Sequence, residues 1–164
     1  MDKIKVFVTF YETIPTGNWY GKVVRFVQRN LSDEFYEHCS IVVVLDNSKS
    51  VVYHVSATHY SRWVNEKACH KIWSPSACIY LGEHEVNLDE LYNIKPIIFS
   101  PLRTLLYYLI TRKLPLKWKP KNTCSIKLCE ILRTIGIDIK DRVLPINIYK
   151  ELIKDANDIN CWKG

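Results

Sequence analysis

Tyr36-Glu37-His38-Cys39-Ser40-Ile41-Val42-Val43-Val44-Leu45, followed by Asp46-Asn47-Ser48-Lys49-Ser50 and then by Val51-Val52-Tyr53-His54-Val55-Ser56-Ala57, is the stretch on which the fold turns. Two runs rich in β-branched and aromatic residues flank five turn-forming ones, which is the pattern of a β-hairpin with a polar loop. Side chains alternate along a strand, so His38, Ser40, Val42 and Val44 share one face while Cys39, Ile41, Val43 and Leu45 share the other. On the second strand Val52, His54 and Ser56 share a face. A hairpin centred on Ser48 sets Thr58 opposite His38 and Ser56 on the diagonal, with His54 one step further. Only a bulge or extra twist would then bring His54 alongside His38. The alternative is that His54 is a core histidine and Ser56 or the backbone orients His38.

Before the hairpin, Lys3 to Phe10 alternates polar and apolar residues and predicts a strand with one buried face. Pro15-Thr16-Gly17-Asn18 breaks it, and Val23, Val24, Phe26 and Val27, with Lys22, Arg25 and Arg29 between them, predict a short amphipathic helix over 20–29. After the hairpin, Lys71-Ile72-Trp73 and Cys78-Ile79-Tyr80-Leu81 read as strands around Ser74-Pro75. Asn87-Leu88-Asp89-Glu90-Leu91 and Ser100-Pro101-Leu102-Arg103 resemble helix starts. Two more helices are expected, one from Thr123-Cys124 to Gly136 and one from Pro145 through Lys154.

The helix after Lys121-Asn122-Thr123 carries the chemistry. Leu128, Ile131, Leu132 and Ile135 form the stripe that must face the sheet, and Cys124, four residues before Leu128, begins it. Its thiol therefore sits at a helix N-terminus, where unpaired N–H groups and the positive end of the macrodipole favour thiolate over thiol. The plainer reading is a small buried apolar residue, the commoner fate of a core cysteine. His38 is placed on its strand to meet this helix, and with His54 or a hydroxyl behind it the set reads as nucleophile, base and orienter. Cys129 is offset from the stripe and Cys39 faces away from His38, so neither is expected to be the nucleophile. His59, His70 and His84 fall on irregular segments and read as surface residues.

Composition sets the outer bounds. The 164 residues fit one domain of roughly 100–200 residues, with 48% apolar and 24% charged residues in the ordinary globular range. A single domain over 1–164 is expected. Met1 to Lys5 leads directly into the first strand without an apolar leader, and the longest apolar run, Leu105 to Ile110, is far short of the ~20 residues of a spanning helix. A soluble protein of the cytoplasm, or of the host cytoplasm or a virion, is expected. Six cysteines (Cys39, Cys69, Cys78, Cys124, Cys129, Cys161) are irregularly spaced, favouring free thiols over a disulfide framework or a zinc site; no metal or other cofactor is expected. The charge of +6 suits an anionic partner, but also merely keeps a small domain soluble.

At the residues quoted above the sequence resembles the permuted branch of the NlpC-type papain-like superfamily, which includes lecithin:retinol acyltransferase-like proteins and small phage and bacterial hydrolases. Glu37-His38-Cys39-Ser40-Ile41-Val42 and Val51-Val52-Tyr53-His54 resemble the family's histidine strand and the strand after it, and Cys124-Ser125-Ile126-Lys127-Leu128-Cys129-Glu130-Ile131-Leu132 resembles its cysteine helix. Phe10-Tyr11 followed by Gly17, and Leu144-Pro145 through Ile148-Tyr149, are similar to the opening and closing segments of phage members. Asn122-Thr123 departs from the aromatic or Asn often found before the cysteine, and the hairpin is longer, which bears on the third residue.

The resemblance implies an α+β, permuted papain-like fold in which a small antiparallel sheet packs against the cysteine-bearing helix. It further implies Cys124 as nucleophile, His38 as general base and His54 as the third polar residue of a cysteine peptidase, amidase or acyltransferase acting on a peptide, peptidoglycan or lipid acyl substrate. Two other readings remain open. One is an inactive papain-like scaffold such as a virion component. The other is a nucleic-acid- or membrane-binding module that uses Lys113, Lys117, Trp118, Lys119 and Lys121, whose interleaved charge and indole suit an anionic surface.

Overall fold

The structure, a computed structural model, describes residues 1–12, 38–55, 61–66, 75–97, 123–142 and 144–155, together with positions 22, 26 and 36. The expected helix over 20–29 and the turn before it, the strand at 71–73, the helix start at Ser100 and the basic run around Lys113 to Lys121 lie outside the described residues, as do Ser56, His59, His70, Cys69 and Cys161.

The described chain is α+β. Five strands, β1 (Asp2–Tyr11), β2 (His38–Leu45), β3 (Ser50–His54), β4 (Arg62–Asn65) and β5 (Ala77–Val86), form one sheet in the order β4-β3-β2-β1-β5, with every pairing antiparallel. Helices α1 (Leu88–Tyr92), α2 (Cys124–Thr134) and α3 (Pro145–Asp155) complete it. Among the described residues no helix is long and apolar enough to cross a membrane.

Period-2 patterning gives β1, which lies between β2 and β5, one fully buried face. Ile4, Val6, Val8 and Phe10 are essentially fully buried on the face turned to the helices, where they meet Ile41 and Val43 of β2 and Ile79 of β5. The opposite face holds a smaller apolar cluster of Val42 and Val52 with Phe7 and Val64. Near the middle of β1 the pairing with β5 slips between Val6 and Phe7, whose partners are Gly82 and Tyr80. The extra residue, Leu81, is a bulge, and Gly82 accommodates it at φ +97°, a conformation few other residues adopt.

The hairpin closes one residue earlier than its composition suggests. Val44 pairs with Ser50 and Ile41 with Tyr53, so the loop is Asp46-Asn47-Ser48 and its centre is Asn47 rather than Ser48. Leu45 N–H donates to Lys49 O and Ser48 N–H to Leu45 O, both at 2.9 Å, while Ser48 takes φ +60°. This is a three-residue loop ending in a left-handed residue. Each strand-two residue is thereby shifted two places relative to strand one, which bears directly on His54.

β4, four residues long, has no sequence signal because Arg62 and Asn65 bracket only Trp63 and Val64. Trp63 anchors it: the indole N–H donates to Leu91 O at 3.3 Å and the ring meets Tyr53 edge-on with centroids 5.2 Å apart. β5 runs on to Val86, so His84 lies on a strand, half-buried against Leu81 O at 3.0 Å, rather than on an irregular surface segment.

α2 begins where Thr123, in extended conformation, accepts the Ile126 N–H on its hydroxyl at 3.1 Å. It ends at Gly136 (φ +93°), with Ile137 N–H bonded to Leu132 O and Gly136 N–H to Arg133 O, the paired bonds of a Schellman cap. Leu128, Ile131, Leu132 and Ile135 are all buried, each contributing about 1.5–3 kcal/mol. Cys129, although offset from the stripe, is also fully buried in this core. α3 adds Ile148 and Leu152 to the same core, and Tyr149 packs on Phe10 and Tyr36.

Two left-handed positions yield a paired expectation. Ser48→Gly removes the strain of a side chain at positive φ and should stabilise the fold by up to about 1 kcal/mol, whereas Gly136→Ala should destabilise it by about 1 kcal/mol for the same conformational reason, since space at Gly136 is open. Urea denaturation of both variants measures the two opposite signs.

Candidate active site

Three described elements converge on Cys124: the first turn of α2, the start of β2 and the end of β3. Cys124 is the first residue of α2 and is 8% exposed. The Thr123 hydroxyl occupies the Ile126 N–H and the Thr123 carbonyl the Lys127 N–H, so the N–H groups of Cys124 and Ser125 precede the first intrahelical bond and lie beside the sulfur.

The face of β2 that packs on α2 is the one carrying Cys39, Ile41 and Val43, the opposite of the face expected. Bulk decides this: Ile41 and Val43 continue the apolar surface of Val6, Val8 and Ile79, whereas Ser40 and Thr9 cannot. His38 still reaches Cys124, because it is the first residue of β2 and lies at the end of the sheet, past which the helix start projects. Cys39, expected only to face away from His38, lies in the same buried cluster as Cys124.

The electrostatics separate the two thiols. A hydrogen bond from the Cys39 thiol is the largest influence holding the Cys124 thiol well below its ordinary pKa; burial opposes it, and the charge of His38, a hydrogen bond from His38 and the Cys39 backbone N–H reinforce it. Cys39 is pushed well above its ordinary value, first by burial and then by donating to Cys124. The two shifts run in opposite directions, so Cys124 is the more acidic thiol of the two. The Ser125 hydroxyl, fully buried, lies 3.7 Å from Cys39 Sγ and 3.9 Å from Cys124 Sγ. Burial raises Cys78 and Cys129 to about 11, so among the described cysteines only Cys124 is acidified.

His54 closes the constellation. The observed register, in which Ile41 pairs with Tyr53, brings His54 two places nearer to His38 than a Ser48-centred turn would, so the extra twist or bulge is unnecessary. The His38 and His54 rings lie 5.5 Å apart at 70°. Burial, then the neighbouring His38, lower His54 to about 4, so at neutral pH it is an uncharged imidazole beside the base.

Behind His38 is a feature that sequence reading missed. Thr9, Tyr11 and Ser40, all buried, form a triangle of hydroxyls with Thr9 Oγ1 to Ser40 Oγ at 2.6 Å, Ser40 Oγ to Tyr11 OH at 2.9 Å and Tyr11 OH to Thr9 Oγ1 at 3.0 Å. Tyr11 pairs with His38 across the ladder and its ring lies 5.6 Å from the imidazole. The available signal was the alternation itself, which places Thr9 and Tyr11 on the face of β1 opposite Val8 and Phe10. No cluster of three His, Cys, Asp or Glu side chains suited to a metal occurs among the described residues.

The depressed His54 value has a signed consequence. Unfolding returns His54 from about 4 to 6.5, so between these values the unfolded chain binds more protons and stability falls as pH is lowered. Chemical denaturation is expected to show a loss of about 1–2 kcal/mol from pH 7 to pH 5, and His54→Gln is expected to flatten that window.

Comparison of the chain with protein-family models, with curated proteins and with solved structures found no match.

Proposed function

We propose that this protein is a cysteine-dependent hydrolase or acyltransferase with a permuted papain-like arrangement, Cys124 being the nucleophile, His38 the general base and His54 the residue that orients it. The observation supporting this most directly is the acidified Cys124 thiol at a helix start within hydrogen-bonding reach of His38. A buried thiol that only packs is raised in pKa, as Cys129 and Cys78 are.

In the reaction His38 holds the proton of Cys124, and the thiolate attacks an acyl carbonyl. The oxyanion that develops faces the N–H groups of Cys124 and Ser125. Collapse breaks the bond to the leaving amine or alcohol, which takes its proton from His38, and leaves a thioester on Cys124. Water or an acceptor amine, deprotonated by His38, then releases the acyl group. The substrate class is an acyl compound of peptide, peptidoglycan or lipid origin. A non-catalytic scaffold, or a module binding an anionic surface through Lys113, Lys117, Trp118, Lys119 and Lys121, needs no acidified thiol.

Alkylation by iodoacetamide, followed peptide by peptide across pH, separates these readings. Cys124 is expected to label selectively below neutral pH, and His38→Ala to move its labelling to the range of an ordinary thiol. With p-nitrophenyl acetate, an acyl adduct is expected on Cys124 and release of nitrophenol is expected to drop by about 10²- to 10⁴-fold in His38→Ala and to vanish in Cys124→Ala. Cysteines that all titrate alike would sink the enzyme and leave the scaffold.

A further inference from the structure

The reaction proposed above uses Cys124 and His38 but gives Cys39 no part beyond donating a hydrogen bond. Cys39 is 1% exposed on the helix-facing side of β2, in the same buried cluster as Cys124, and each thiol shifts the acidity of the other. Both sulfurs lie against one hydroxyl, Ser125 Oγ, at 3.7 and 3.9 Å. A strand and a helix distant in sequence thus bring two thiols to one buried hydroxyl at the candidate nucleophile.

We propose that Cys39 is a resolving thiol for Cys124: a small peroxide oxidises Cys124 to a sulfenic acid, and Cys39 condenses with it to form an intramolecular disulfide that blocks the nucleophile reversibly. The inference rests on Cys124 being the reactive thiol of the reading above. Cys124, at the start of α2 and the more acidic of the two thiols, is the one that meets peroxide first.

In the first step the Cys124 thiolate attacks one oxygen of hydrogen peroxide, the O–O bond breaks and the departing hydroxide takes a proton, supplied by His38, to become water. Sulfur has lost two electrons and peroxide has gained them. In the second step the Cys39 sulfur attacks Cys124 sulfur, the S–O bond breaks, and the departing hydroxide leaves with the Cys39 proton as a second water. The sum is two thiols and one peroxide giving one disulfide and two waters. The nearness of both sulfurs to Ser125 Oγ favours this step over further oxidation, which requires another peroxide molecule to enter a site where Cys124 is only 8% exposed.

The test treats the full chain with hydrogen peroxide, blocks remaining thiols with N-ethylmaleimide and maps peptides without reduction. A disulfide linking the Cys39 and Cys124 peptides is expected, with Cys124 alkylation lost and then restored by dithiothreitol. In Cys39→Ser, whose hydroxyl still donates, Cys124 is expected to give a dimedone-trapped sulfenic acid and then an irreversible sulfinic acid that dithiothreitol does not rescue; Cys39→Ala, which loses the donor, is expected to give the same products more slowly. If Cys124 of the parent protein still alkylates selectively at acid pH, yet peroxide drives it to sulfinic acid with Cys39 free, resolution by Cys39 is overturned while the nucleophile stands. If Cys124 shows neither selective alkylation nor oxidation, both ideas fall. Linkage of Cys124 to another cysteine also overturns the proposal.

Discussion

Everything at the site follows from how the first turn of α2 seats on the beginning of β2. The helix must bury Leu128, Ile131 and Leu132 against Ile41 and Val43, and that packing delivers its leading residue, Cys124, to the strand's leading residues, His38 and Cys39. The cap at Thr123 fixes where the helix starts, and hence which N–H groups surround the sulfur. The Schellman closure at Gly136 fixes where it stops, and α3 then lays Ile148 and Leu152 on the same core. Position along the helix and chemistry at its tip are therefore one constraint.

Because successive side chains on a strand point in opposite directions, His38 and Cys39 approach Cys124 from the two sides of the sheet. Cys39 comes through the apolar layer beneath α2, where burial keeps it protonated. His38 comes from the polar face, backed by His54 and by the hydroxyls of Tyr11, Ser40 and Thr9. The sulfur thus sits at the end of the sheet with a dry side and a polar side, and the charge it carries is shared between donors from both.

The strands and helices with strong signals were legible in the sequence: the alternation from Lys3 to Phe10, the existence of the hairpin, the apolar stripe of α2 and the start of α3 at Pro145 all stand where pattern placed them. Cys124 at a helix start and His38 on a strand facing the same site were legible too. What sequence could not give was which face of β2 meets the helix, since both His38-Ser40-Val42 and Cys39-Ile41-Val43 contain apolar residues and only packing against β1 and β5 decides between them. The hairpin register was off by two because turn composition does not say that Ser48 takes a positive φ. β4 escaped notice because its existence depends on Trp63 meeting Leu91 and Tyr53, contacts remote in sequence.

The triangle formed by Thr9, Ser40 and Tyr11 behaves as a reversible element under the imidazole. Each hydroxyl carries one proton and can both give and accept, so the three can pass donors around the ring in either sense. Reversing the sense exchanges donor and acceptor at every oxygen while no heavy atom moves. Rotation of three hydrogens thus leaves every hydroxyl satisfied in either arrangement, so this wall of the site keeps its shape whichever way its protons run.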